Sequence, residues 1–106
     1  MFKNSKPIIG MIHCPALPSS PQFENNLKHI HQFVMNDAKV LVEGGVDALM
    51  LENYGDLPFF PDSVPSATVA HLTVLARALK KRFALPLGIN VLRNDGISAL
   101  AIAHSS

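Results

Sequence analysis

The sequence has no tryptophan, one tyrosine and one cysteine, Cys14. A lone thiol cannot close an intrachain disulfide, so the fold must rest on its apolar core and needs no oxidising compartment. Charge of either sign is scarce. Nine Lys and Arg face eight Asp and Glu, a formal net charge of +1, which lacks the basic footprint of a nucleic-acid binder. The one cationic run, Lys80-Lys81-Arg82, suits the last turn of a helix, where cations offset the helix dipole. No apolar stretch approaches the ~20 residues that span a bilayer. The polar opening from Met1 to Lys6 lacks the long apolar region of a secretory signal. P-loop, dinucleotide and HExxH patterns are missing too, and His29 and His31, two apart on a helix, do not share a face. A cytoplasmic protein with no nucleic-acid partner and no metal site is expected; the cofactor is unknown.

What is present is a globular composition, 48% hydrophobic and 16% charged, which argues against disorder. Three short apolar runs stand out: Ile8–Ile12, Ala48–Leu51 and Leu87–Val91. None alternates strictly, as expected of strands covered on both faces in a parallel sheet. Between them lie two helical stripes. The first is Leu27, Ile30, Val34, Ala38 and Leu41, with Asn25 or Asn26 to cap it and Gly44-Gly45 to end it. The second is Val69, Leu72, Ala76, Leu79 and Phe83, with Ser66 as the expected N-cap and Pro86 barring continuation. A third helix should begin after Asp95 and bury Ile97, Leu100 and Ala101.

The order β-α-β-α-β-α predicts an α/β fold with a parallel sheet. Its loops are unequal: those after the helices are short, whereas His13–Glu24 and Asn53–Pro65, after the strands, are long. In a (β/α) TIM-type barrel the strand-to-helix loops build the active face. The fold class expected is that barrel, with only its first three βα units present, because a full barrel takes ~250 residues. Residues 1–106 thus read as an N-terminal fragment of a single barrel domain. Its uncovered inner sheet face should make the chain unstable or self-associating, a homo-oligomer included.

Each strand ends in polar residues. Alternation along a strand places Met11 with His13, Met50 with Glu52 and Gly88 with Asn90, so His13, Glu52 and Asn90 should converge at the barrel mouth as catalytic candidates. Imidazole changes charge near neutral pH and suits His13 to acid–base work, although a buried histidine bonded to a carbonyl is the plainer alternative. A carboxylate ending an apolar run, Glu52, is costly unless paired or used; an ion pair with Arg93 is its structural alternative. Asn90 can donate and accept. Asn53, Asp56, Arg93, Asn94 and Asp95 are ligand-binding candidates. Against that, Asp56 lies in the turn-forming Tyr54-Gly55-Asp56, and Asn94 or Asp95 can cap the third helix. Arg93 offers a planar fork for a phosphate or carboxylate, making a small anionic or phosphorylated ligand the partner to expect. Cys14, adjacent to His13, should point to the opposite face.

Longer blocks carry a resemblance. Gly10-Met11-Ile12-His13-Cys14-Pro15-Ala16-Leu17-Pro18 with Ser20-Pro21 resembles the opening motif of the BtpA family. So do Gly45-Val46-Asp47-Ala48-Leu49-Met50-Leu51-Glu52-Asn53-Tyr54-Gly55-Asp56 with Pro58-Phe59, Val64-Pro65 with Thr68-Val69-Ala70, and Pro86-Leu87-Gly88-Ile89-Asn90-Val91-Leu92-Arg93-Asn94-Asp95. The resemblance implies a barrel of the ribulose-phosphate-binding type and a role in biogenesis or stabilisation of a membrane protein complex, photosystem I in photosynthetic members, with peripheral membrane contact. It carries over no catalytic residues. Two other functions stay open: a barrel enzyme acting on a small phosphorylated or nucleoside-like substrate, and an inactive truncated remnant.

Overall fold

The computed structural model describes residues 2–106. Three strands, β1 (Ile9–His13), β2 (Ala48–Glu52) and β3 (Leu87–Asn90), alternate with three helices, α1 (Leu27–Glu43), α2 (Ser66–Arg82) and α3 (Gly96–Ser105). The strands form one parallel sheet in the order β1-β2-β3, as the alternation of elements predicts. Strand limits differ from the apolar runs by a residue at most.

The helices pack on one face of the sheet. Ile12, Leu49, Leu51 and Val91 from that face join Ile30, Val34 and Ala38 of α1, Leu72, Ala76 and Leu79 of α2 and Ile102 of α3 in one buried core. The edge strand β1 therefore alternates, with Gly10 and Ile12 buried and Ile9, Met11 and His13 exposed. The central strand β2 is flanked on both sides and keeps every residue buried except the partly buried Met50. Met50 lies across β3, where a Cβ on Gly88 would come within 2.8 Å of its sulfur.

Local chemistry sets the element ends. Asn26 caps α1, its Oδ1 accepting from the His29 N–H at 2.9 Å. At the other end Gly45 turns with φ +93°, the Gly45 N–H donates to the Val42 carbonyl, and the Val46 N–H donates to the Leu41 carbonyl. This is a Schellman ending, which needs a residue tolerant of positive φ after the cap. Leu41 and Val46 both press on Gly10, within 3.2 Å of where its Cβ would stand, so the missing side chain in β1 seats the end of α1 and the approach to β2.

The helices depart from the sequence reading in three places. Pro65, not Ser66, occupies the N-cap of α2; its carbonyl accepts from the Thr68 N–H at 3.0 Å, and Ser66 is the first helical residue. Leu27, the first residue of α1, is about half exposed. In α3 the face expected inside is outside: Ile97 is 85% and Leu100 73% exposed, Ala101 is also exposed, and Ile102 is the buried residue. The sequence Gly-Ile-Ser-Ala-Leu-Ala-Ile-Ala is apolar nearly all round, and such a helix has no polar stripe to reveal which face is buried.

Candidate functional site

Parallel pairing puts His13 opposite Glu52 and Glu52 opposite Asn90 at the C-terminal ends of the three strands. The three side chains meet there, on the sheet face away from the helices. Glu52 Oε2 accepts from Asn90 Nδ2 at 2.6 Å. Glu52 Oε1 stands 3.6 Å from His13 Nε2, within ion-pair reach once the imidazole is protonated. Glu52 is only 8% exposed, and burial of a carboxylate is tolerable when both oxygens have partners. His13 is about half exposed, so the row runs from a buried acid to an open imidazole. Such a row can bind hydroxyl or amino groups at Asn90 and Glu52 and hold or move a proton at His13 Nε2.

Tyr54, which the sequence reading passed over as part of a turn, belongs here. Its ring stacks on the His13 imidazole, centroids 4.4 Å apart and planes 17° from parallel. The available signal was that it is the chain's only tyrosine and follows Glu52 by two residues. Its loop sits directly on the loop after β1: the Gly55 N–H donates to the Cys14 carbonyl at 2.9 Å, and a Cβ on Gly55 would lie 2.5 Å from the Ala16 nitrogen. Only glycine allows that approach.

The ligand-binding candidates separate. Asn53 is buried and turned to the backbone of the loop after β3; its Oδ1 accepts from the Leu92 N–H at 2.7 Å and its Nδ2 donates to the Leu92 carbonyl at 3.0 Å. Asp56 is also buried, its Oδ1 accepting from the Leu17 N–H at 2.7 Å. Burial pushes the Asp56 carboxyl up, against the lowering effect of the bonds from Leu17 and Asn53. Asp95 caps α3: Oδ1 accepts from the Ser98 N–H, and Oδ2 accepts from the Ser98 hydroxyl and the Val64 N–H. Hydrogen bonds from Ser98 and Val64 hold its carboxyl below the ordinary range. Asn94 turns the chain with φ 76°, a conformation that asparagine accepts better than most residues. In this structure Asn53, Asp56, Asn94 and Asp95 fasten loops and caps.

Arg93 is exposed and makes no ion pair with Glu52, contrary to the structural alternative in the sequence. Asn90, directly opposite Glu52, takes that carboxylate oxygen first, while the Arg93 backbone N–H donates to the Phe60 carbonyl. With Asn90 and Asn94, Arg93 borders a cleft of about 410 Å³ at the start of α3. A second cleft, about 400 Å³, opens on the other flank of the row and takes in His13, Tyr54, Phe23, Glu24, His29 and Phe33. Cys14 faces the core, as alternation predicts; burial, with the negative charge of Asp56 second, pushes its thiol up to about 12. Among the described residues no group of three or more His, Cys, Asp or Glu could hold a metal ion. None of the described helices is long and apolar enough to cross a membrane.

Fold and site together define a parallel β/α protein with a polar cluster at the C-terminal ends of its strands. The chain belongs to the BtpA family, whose family model matches residues 4–106. An uncharacterized protein of Methanocaldococcus jannaschii is 47% identical over 104 residues, 98% of this chain and 39% of that protein. The photosystem I biogenesis protein BtpA of Synechocystis is 40% identical over 102 residues, 96% of this chain and 36% of that protein. An uncharacterized mitochondrial protein of Caenorhabditis elegans is 30% identical over 112 residues, 100% of this chain and 40% of that protein. The chain thus spans about two fifths of the length of such relatives. No solved structure matches it.

Proposed function

We propose that the strand ends form part of a small-molecule site in a (β/α) barrel of the BtpA family. In this reading Glu52 and Asn90 bind polar groups of the ligand, His13 exchanges a proton with it, and Arg93 receives an anionic group such as a phosphate. The observation that carries it is the buried Glu52 carboxylate held between Asn90 and His13 at one level of the sheet. In barrels of this kind such positions line the active face.

Ribose 5-phosphate, which offers hydroxyls and a phosphate together, is the probe for calorimetric titration. Glu52→Gln keeps shape and removes charge. Binding should weaken at least ten-fold while the melting temperature holds, because the desolvation cost of the carboxylate disappears. Arg93→Ala should weaken the same probe. Loss of stability in Glu52→Gln with unchanged affinity would reduce Glu52 to scaffold.

A second reading is favoured by the 40% identity to the Synechocystis protein named for photosystem I biogenesis: the full-length protein supports assembly of a membrane complex. It is tested by exchanging the matching segment of that cyanobacterial protein for this one and measuring photosystem I levels. Restored levels support the role, and levels as low as in the deletion strain oppose it.

A further inference from the structure

We propose that Tyr54 is a positioning residue for His13: its stacked ring aims the imidazole so that Nε2 keeps its proton toward Glu52 and Nδ1 is the nitrogen left to take one. This rests on the reading of the strand ends as a ligand site and names the atom at which that site exchanges a proton.

The imidazole needs an outside hold. The torsion that turns a histidine ring is broad and roughly two-fold, and the His13 side chain is about half exposed. Glu52 Oε1, 3.6 Å from Nε2, is beyond ordinary hydrogen-bond length and does not by itself fix the ring plane. Tyr54 supplies the plane. Its ring centroid lies 4.4 Å from that of the imidazole and the planes are within 17° of parallel, so a quarter turn of the imidazole would break the stack. Two flips keep it. The one adopted places Nε2, rather than a ring carbon, toward the carboxylate.

The hold is built into the backbone. Gly55, next after Tyr54, donates its N–H to the carbonyl of Cys14, next after His13, at 2.9 Å, and the Cys14 N–H donates to the Glu52 carbonyl at 2.8 Å. Further along the same two loops, Asp56 Oδ1 accepts from the Leu17 N–H at 2.7 Å. The rings are therefore carried on loops tied to each other. Every partner lies on β1, β2 or the loops that follow them, so the arrangement draws on no further unit of a barrel. The apolar core takes in Phe23 and Phe83 but not Tyr54; the tyrosine's aromatic partner is His13.

The aim decides the chemistry. A neutral imidazole carries its proton on one of two nitrogens, and the partner at one nitrogen settles which. A lone pair facing the Glu52 carboxylate is repelled and an N–H is attracted, so the proton belongs on Nε2 and the free electron pair on Nδ1. When Nδ1 takes a proton from an O–H or N–H of the ligand, the ligand keeps the bonding pair. The imidazolium formed stands beside the Glu52 carboxylate, which offsets its charge. Asn90, holding the other carboxylate oxygen at 2.6 Å, keeps Glu52 in place for this.

Nitrogen-15 spectra of the five histidines, recorded above the ordinary histidine range so that the rings are neutral, read the proton atom by atom. His13 is assigned by the signals lost in His13→Gln. Wild type should show His13 in the Nε2–H form alone, with its ring protons moved upfield by the stacked phenol relative to the other histidines. Tyr54→Phe keeps a ring and should preserve both signatures. Tyr54→Leu should lose the upfield shift and give a mixture of the two neutral forms, with the far-ultraviolet dichroism unchanged. A wild-type proton on Nδ1, or shared between the nitrogens, would overturn the proposal whether or not any variant folds. A leucine variant with the wild-type pattern, or a phenylalanine variant with the leucine pattern, would overturn it too. Titrating Glu52→Gln with ribose 5-phosphate keeps the two readings apart. If the nitrogen pattern is as expected and ribose 5-phosphate binding is unchanged, the aimed imidazole stands and the strand-end ligand reading falls. If that binding weakens and the wild-type proton is shared, the ligand site stands and positioning by Tyr54 is overturned.

Discussion

The two faces of the sheet use the same three strands in opposite ways. Toward the helices, Ile12, Leu49 and Leu51 are sealed in the core. Toward the other side stand Ile9, Met11 and His13, open to solvent, with Glu52 and Asn90 beside them. Alternation along a strand makes this division possible, since neighbouring side chains leave the backbone in opposite directions. Apolar packing collects on one face, and the polar row of His13, Glu52 and Asn90 on the other. A substitution should therefore report which face it touches.

The widest contrast is between Leu51 and Met11. Leu51 is fully buried and Met11 is not. Leu51→Ala should cost about 2–5 kcal/mol from lost burial and the cavity left behind. Met11→Ala should cost less than about 1 kcal/mol, as is usual at open positions. Urea unfolding of both variants checks this, and equal losses would erase the distinction between the faces.

Asn53 sharpens the comparison, because it is polar yet lies on the helix-facing side. Its amide closes two hydrogen bonds with the backbone of Leu92. Asn53→Ala should destabilise by about 1–3 kcal/mol, the cost of leaving buried groups unpaired. Ribose 5-phosphate binding per folded molecule should be unchanged. A loss of binding with intact stability would return Asn53 to the ligand site.

The smallest effect concerns pH. The Asp95 carboxyl is held low by its hydrogen bonds, so the folded state binds this proton less readily than the unfolded chain does. Its stabilising contribution is complete above the ordinary carboxylate range and is lost as pH falls through the lowered folded value. Asp56 has the opposite sign: its carboxyl is raised by burial, so its contribution favours the fold at low pH and declines as pH rises through the raised value. In melting curves recorded across acidic pH, Asp95→Asn should flatten the acid-side loss, and Asp56→Asn should steepen it. Parallel profiles for wild type and both variants would contradict the assignments.

Much of this division is legible in the sequence alone. Period-two alternation places His13, Glu52 and Asn90 together, and parallel order puts them level. The caps by Asn26 and Asp95 follow from side chains that accept hydrogen bonds locally, within three residues in sequence. What escaped is mostly long-range. Asn53 grips Leu92 and Asp56 grips Leu17, each 39 residues away, and no local pattern signals such a partner. Tyr54 was missed for the same reason, since its stack depends on where the next strand's loop folds back. The orientation of α3 was hidden because the helix offers apolar residues on every side.

Asp47 gives the row an unexpected dependence. It lies at the opposite end of the sheet from His13, where its carboxylate accepts from the Ile8 N–H at 2.8 Å and its own N–H donates to the Ile8 carbonyl at 2.8 Å. That clasp sits at the start of the β1–β2 ladder and supports its register. A slip of one residue there would turn the imidazole to the far side of the sheet, leaving Glu52 without it though nothing near either residue had changed. The meeting of His13 and Glu52 at one end of the strands thus draws on a contact at the other end, where Asp47 holds Ile8.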